Sequence, residues 1–116
     1  MTPTRSPITT HVLDVAIGRP ARGVGVTLSR LTGEVFEELA HGETDADGRH
    51  ANLLRPGTLL PGTYRIRFEV GPYFAQTQRE SFYPFVEIVF TVAATDEHYH
   101  VPLLLSPYGY STYRGS

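Results

Sequence analysis

The chain reads as an all-β domain, a two-sheet Greek-key sandwich of seven to eight strands with one short helix. Three observations predict this. Eleven glycines and nine prolines are scattered among short apolar runs, which punctuates the chain with turns. Within several runs apolar and polar residues alternate with a period of two, as half-buried strands require. A length of 116 residues, 41% hydrophobic and 19% charged, suits one ordinary domain with a real core.

In chain order, residues 1–7 carry two prolines and no apolar stretch. They read as a flexible leader, not a signal peptide, ahead of a single domain over 8–116. Ile8 to Val15 is the first strand, with Ile8, Thr10, Val12 and Asp14 on one face and Thr9, His11, Leu13 and Val15 on the other. Gly18 to Gly23 is a turn, after which Val24, Val26 and Leu28 alternate as a second strand. Val35 to His41 is a weaker third. Glu43 to Gly48 is a polar turn in which Asp47-Gly48 supplies positive φ. Pro56-Gly57 and Pro61-Gly62 bracket a further turn.

Tyr64, Ile66, Phe68 and Val70 then alternate with Thr63, Arg65, Arg67 and Glu69, a half-buried antiparallel strand. Gly71 to Glu80 loses the alternation and places a proline early among helix formers, so the short helix falls there. Val86, Ile88, Phe90 and Val92 make the next strand. His98 to Leu105 follows, with Tyr99, Val101, Leu103 and Leu105 facing the core and His98, His100, Pro102 and Leu104 facing away. Ser111 to Tyr113 fits a last short strand.

Composition excludes several classes of function. A net charge of −2 provides no basic field for non-specific nucleic-acid binding. No run of about 18 apolar residues exists, so no membrane-spanning segment is expected. The absence of cysteine removes disulfides, thiolate catalysis and Cys-ligated zinc, and is compatible with a reducing compartment. The chain lacks a Gly-x-Ser-x-Gly elbow and a glycine-rich phosphate loop. Glu43-x-Asp45-x-Asp47-Gly48 imitates the start of a calcium loop, but its twelfth position is Leu54, not a bidentate acid.

What remains is a histidine row. Of the five histidines, His41 and His50 lie in or beside turns and read as surface residues. His98 and His100 share a strand face, and two like groups placed together must be solvated or used. The pair has metal spacing for a strand, and His11 is a possible third ligand, but no carboxylate is placed to complete a zinc site. His11 meets the pair only if the first strand and the His98 strand are neighbours. The tail is dense in functional groups: Tyr113, the fixed charge of Arg114, Gly115 to let the chain turn, and the Ser116 hydroxyl.

Together these residues resemble one family. Ile8-Thr-Thr-His-Val-Leu-Asp14 with Gly18-Arg-Pro-Ala-Arg-Gly-Val24 is similar to the opening of the 5-hydroxyisourate hydrolases, the transthyretin-related proteins. Thr44-Asp-Ala-Asp-Gly-Arg49 resembles their middle motif. His98-Tyr-His-Val-Pro-Leu-Leu-Leu-Ser106 and Tyr113-Arg-Gly-Ser116 resemble their closing signature. The resemblance spans Ile8 to Ser116 with the motifs in order and no departure at the motif positions. The terminal tetrapeptide distinguishes the hydrolases from transthyretin, a hormone carrier on the same fold.

The resemblance implies a transthyretin-like sandwich assembled as a homotetramer, a dimer of dimers with active sites where the dimers meet. It implies hydrolysis of 5-hydroxyisourate to 2-oxo-4-hydroxy-4-carboxy-5-ureidoimidazoline, a step from urate toward allantoin. No metal and no cofactor are implied. Carried over by motif, the catalytic residues are His11, Arg49, His100 and Ser116, the substrate-binding residues His11, Arg49 and Tyr113, with His98 more loosely attached. Water is expected to attack the ring carbonyl, with His100 or His11 as base and Arg49 stabilising the oxyanion. No nucleic-acid or membrane partner is expected, and the cytoplasm is the expected compartment. A transthyretin-like carrier is the main alternative, a zinc hydrolase the second and an inert assembly protein the third. A carrier of an apolar ligand has no need of three polar groups in its channel.

Overall fold

The computed structural model describes residues 5–116. Among them are nine strands and one helix: β1 (Ile8–Asp14), β2 (Arg19–Pro20), β3 (Gly25–Thr32), β4 (Val35–Glu43), β5 (Arg49–His50), β6 (Gly62–Glu69), α1 (Val70–Gln76), β7 (Val86–Val92), β8 (Tyr99–Ser106) and β9 (Gly109–Thr112). Seven of the strands are those expected from alternation. The additional two, β2 and β5, are two residues long each, too short for periodicity to reveal.

The strands form two sheets. One runs β2-β1-β8-β9 with β5 also paired to β1, and the other runs β4-β3-β6-β7. Every pairing is antiparallel except β1 with β8, which run parallel from Ile8↔Tyr99 to Asp14↔Leu105. The faces sort as predicted, and in β1 the face carrying Ile8 and Val12 is the one turned inward. Ile8, Val12, Leu103 and Leu105 from one sheet meet Val26, Leu28, Ile66 and Phe68 from the other, all essentially without solvent exposure. β4 is an edge strand with mostly exposed side chains, which accounts for its weak pattern.

α1 begins at Val70, so that residue ends the alternation as the first of the helix rather than the last of β6. It packs through Val70, Tyr73 and Phe74. Its further anchor is polar. The Tyr73 hydroxyl donates to the fully buried carboxylate of Asp14 at 2.8 Å, and Arg79 donates to the same oxygen at 2.6 Å. Sequence pattern placed Asp14 on the same face as Ile8 and Val12 without revealing these partners.

Residues 1–4 of the expected leader lie outside the described residues. Ser6, by contrast, is not a free leader residue. It is 3% exposed, donates to the Ile8 carbonyl at 2.6 Å and accepts from the Leu54 N–H at 3.0 Å. A small hydroxyl-bearing residue joins the start of β1 to the loop after β5 at a point where alternation carries no signal.

Candidate active site

The Thr44–Arg49 turn fixes one side of the site. The buried Thr44 hydroxyl donates to the Ala21 carbonyl at 2.6 Å and accepts from the Val24 N–H at 3.0 Å, tying the turn to the sandwich. Asp45 Oδ1 then accepts from the N–H groups of Asp47 (2.9 Å) and Arg49 (3.0 Å). Those bonds, the Arg49 N–H foremost, hold its carboxyl below the usual range. Gly48 takes φ +74°, and a Cβ there would lie 2.4 Å from the Val12 carbonyl oxygen, so only glycine passes. The chain emerges as β5, where Arg49 is in register with His11 and His50 with Thr10. Among the described residues no carboxylate lies within ion-pair distance of Arg49.

The parallel β1–β8 pairing supplies the other side. It sets Thr9 opposite His100 and His11 opposite Pro102. First strand and histidine strand are therefore neighbours, the condition on which His11 joins the pair. The Thr9 hydroxyl lies 2.9 Å from His98 Nε2 and 2.9 Å from His100 Nδ1, bridging the two imidazoles. Burial pushes His100 below the ordinary histidine pKa, the charges of His11, His98 and Arg49 push the same way, and the Thr9 backbone carbonyl opposes them in part. Burial and then the Arg5 charge lower His98, against the Ser6 carbonyl. Both rings are therefore held neutral at neutral pH.

The tail closes the site. The Gly115 N–H donates to the His100 carbonyl at 2.8 Å, laying the last residues beside β8. A Cβ on Gly115 would lie 2.6 Å from His100 Cδ2. Glycine is thus required by close approach to the ring, not by a turn as its sequence context suggested. Arg114 pairs with Glu97 at 2.9 Å, donates to the His98 carbonyl at 3.4 Å and stacks over Tyr99 at 4.4 Å.

Between these parts lies an open cleft of about 300 Å³ lined by Arg5, Thr9, Arg49, His98, His100 and Ser116, among others. Of the predicted site residues, Arg49, His100 and Ser116 line it, and His11 stands beside it opposite Arg49. Tyr113 does not. It is 58% exposed and borders a separate groove of about 240 Å³ with Phe90, Val101 and Arg114. Thr9 and Arg5 were not singled out from sequence. A lone threonine on a strand carries no signal until its register partner is known. His50 departs from its reading as a surface residue: its ring covers the Gly42 backbone and is half-buried, and burial lowers its pKa.

A cleft rich in cationic and imidazole groups, on the outer face of one sheet, suits a small polar ring carrying partial negative charge. The fold and this cleft define a transthyretin-like β-sandwich with a polar cleft on one sheet. The chain belongs to the HIUase/Transthyretin family, whose model matches residues 8–115. It is 50% identical over 113 residues to the 5-hydroxyisourate hydrolase of Mus musculus, covering 96% of each chain. Among solved structures, the Klebsiella pneumoniae 5-hydroxyisourate hydrolase is 42% identical with a TM-score of 0.81, covering 94% of this chain and 92% of that one. Transthyretin from Sparus aurata superposes with a TM-score of 0.90 at 32% identity, covering 96% and 97%. The fold is common to carrier and hydrolase; the sequence sides with the hydrolases.

Proposed function

We propose that this chain hydrolyses 5-hydroxyisourate to 2-oxo-4-hydroxy-4-carboxy-5-ureidoimidazoline, within the degradation of urate, by histidine-assisted attack of water and without a metal. The observation that carries this reading is the meeting of Arg49, His100 and Ser116 in one cleft of a chain half identical to a named hydrolase. An apolar carrier site would leave these groups desolvated to no purpose.

In the reaction, Arg49 holds the partly anionic ring and stabilises the charge that develops on the attacked carbonyl oxygen. A neutral imidazole takes the proton from water, an effect worth roughly 10²–10⁴-fold in rate. The water oxygen bonds to the carbonyl carbon, the ring C–N bond breaks, and the proton passes to the departing nitrogen. Ser116 hydrogen-bonds water or substrate. Tyr113 positions the ring; since it lies outside the cleft of its own chain, this role requires a second subunit, in keeping with a homotetramer formed from two dimers. The cytoplasm completes the reading.

Urate and urate oxidase generate the unstable substrate in place, and its ultraviolet absorbance is followed after exhaustive chelation. The expected result is accelerated decay that is lost in both His100→Ala and Arg49→Ala. Decay at the spontaneous rate with correctly folded protein overturns the reading. Sedimentation velocity tests the assembly, with a tetramer expected and a monomer opposing it.

A further inference from the structure

Two imidazoles converge on one hydroxyl, and a hydroxyl has a single proton to give. Thr9 Oγ1 is 2.9 Å from both His98 Nε2 and His100 Nδ1. With both rings neutral, one nitrogen must donate to the oxygen and the other must accept from it. The tautomers of the two histidines are therefore coupled through Thr9, and fixing one fixes the other.

The cleft selects the direction: His100 lines it while His11 does not, and with Nδ1 of His100 turned to Thr9, Nε2 is the nitrogen free to meet water. His98 Nε2 is taken by Thr9, so any further polar influence on that ring acts through Nδ1. The Ser6 carbonyl favours a proton on His98. Nδ1 makes no hydrogen bond of its own among the described residues, so the Thr9 contact sets which nitrogen of this ring carries hydrogen. With hydrogen on Nδ1, His98 accepts from Thr9 at Nε2, and Thr9 in turn accepts from His100 Nδ1–H. A free lone pair on Nε2 of neutral His100 requires the hydrogen on Nδ1, the nitrogen turned to the Thr9 hydroxyl. The remaining nitrogen of His100, Nε2, is then left with a bare lone pair.

We propose that Thr9 is a positioning residue that locks His100 as its Nδ1–H tautomer, with His98 as the acceptor that orients the hydroxyl, so that His100 Nε2 is the base. This rests on the hydrolase reading above and chooses between the two candidate bases. When Nε2 takes the proton of the attacking water, the ring becomes an imidazolium that still donates through Nδ1 to Thr9. The bridge therefore holds the ring through proton uptake and through its return to the departing ring nitrogen. The arrangement performs with a hydroxyl what a carboxylate does for the histidine of a serine protease, without adding negative charge beside an anionic substrate.

Long-range proton–nitrogen correlation spectra of the wild-type protein at neutral pH, assigned with His98→Gln and His100→Gln, report both tautomers without substrate. The expected result is hydrogen on Nδ1 of each ring; hydrogen on Nε2 of His100 overturns the proposal. In turnover, Thr9→Val keeps the shape and removes the hydroxyl. Its kcat is expected to fall roughly tenfold or more, a share of the 10²–10⁴ that base catalysis supplies, with KM unchanged. Thr9→Ser is expected to recover most of that loss. A Thr9→Val protein with wild-type kcat, or a Thr9→Ser protein as slow as Thr9→Val, also overturns it. A wild-type protein that fails to hasten 5-hydroxyisourate decay refutes the substrate instead, and the spectra still decide the tautomers.

Discussion

Gly115 lies against the imidazole of His100: its N–H donates to the His100 carbonyl at 2.8 Å, and an added Cβ would come within 2.6 Å of ring atom Cδ2. Neither side yields freely, because Thr9 holds the ring at 2.9 Å and the backbone bond holds the tail. Gly115→Ala therefore displaces the ring, the tail or both. A displacement of about 1 Å at a reacting group costs roughly 10²-fold. The expected result is a loss of that order in kcat/KM with an unchanged urea midpoint, measured on the same preparation. Full activity in Gly115→Ala shows that the tail adapts without disturbing the ring.

Arg49 presents a planar fork from a two-residue strand, with its own backbone N–H held by Asp45. Lysine keeps the charge and loses the fork. Arg49→Lys is expected to be slower by roughly 10²-fold, the scale of one lost oxyanion donor. Steady-state kinetics check it, and a lysine variant near the wild-type rate means that charge alone suffices.

Acid acts on stability in two stages. Burial lowers the folded pKa of His50, His98 and His100, so below about pH 6.5 the unfolded chain binds protons that the folded chain refuses. Stability therefore falls as pH drops through that region. Asp14 differs: burial alone would raise its carboxyl, but the bonds from Arg79 and Tyr73 prevail and lower it. Its contribution is fully present above the ordinary carboxylate pKa and is lost as pH falls through the lower folded value. Urea midpoints between neutrality and pH 3 or so are expected to decline in both regions. Asp14→Asn should flatten the lower one, and a midpoint constant from neutrality to about pH 5 would count against the histidine stage.

Tyr73→Phe removes the hydroxyl that donates to buried Asp14 and nothing else. A hydrogen bond to a buried charge is worth about 1.5–3 kcal/mol, so that much stability is expected to disappear in equilibrium unfolding. Turnover should persist, because Asp14 is buried in the core while Thr9, Arg49 and His100 line the cleft. A loss of activity without a loss of stability would connect the helix to the site.

Alternation made most of the longer strands and the inward face of β8 legible, because half-buried strands write their burial into a period of two. Asp47-Gly48 was legible as a turn for a steric reason that the Val12 carbonyl makes concrete. Long-range register was not. Nothing in the residues around Thr9 states that His100 lies opposite it across more than ninety positions of chain. The same gap concealed the Asp14–Tyr73–Arg79 cluster and the half-buried His50. The family motifs pointed to His11, Arg49, His100 and Ser116, and their neighbourhood in space depends on the β1–β8 and β1–β5 pairings. Tyr113 was visible as a motif residue, yet its distance from the cleft of its own chain is a property of β9 that no motif spells out.

The parallel ladder from Ile8↔Tyr99 to Asp14↔Leu105 has a consequence for how the protein is made. Translation delivers Thr9 91 residues ahead of His100, and Gly115 settles on His100 later still. A nascent or truncated polypeptide can therefore assemble much of the β3-β6-β7 sheet while possessing no cleft at all. Turnover in an extract would count finished molecules, with no partial credit for fragments.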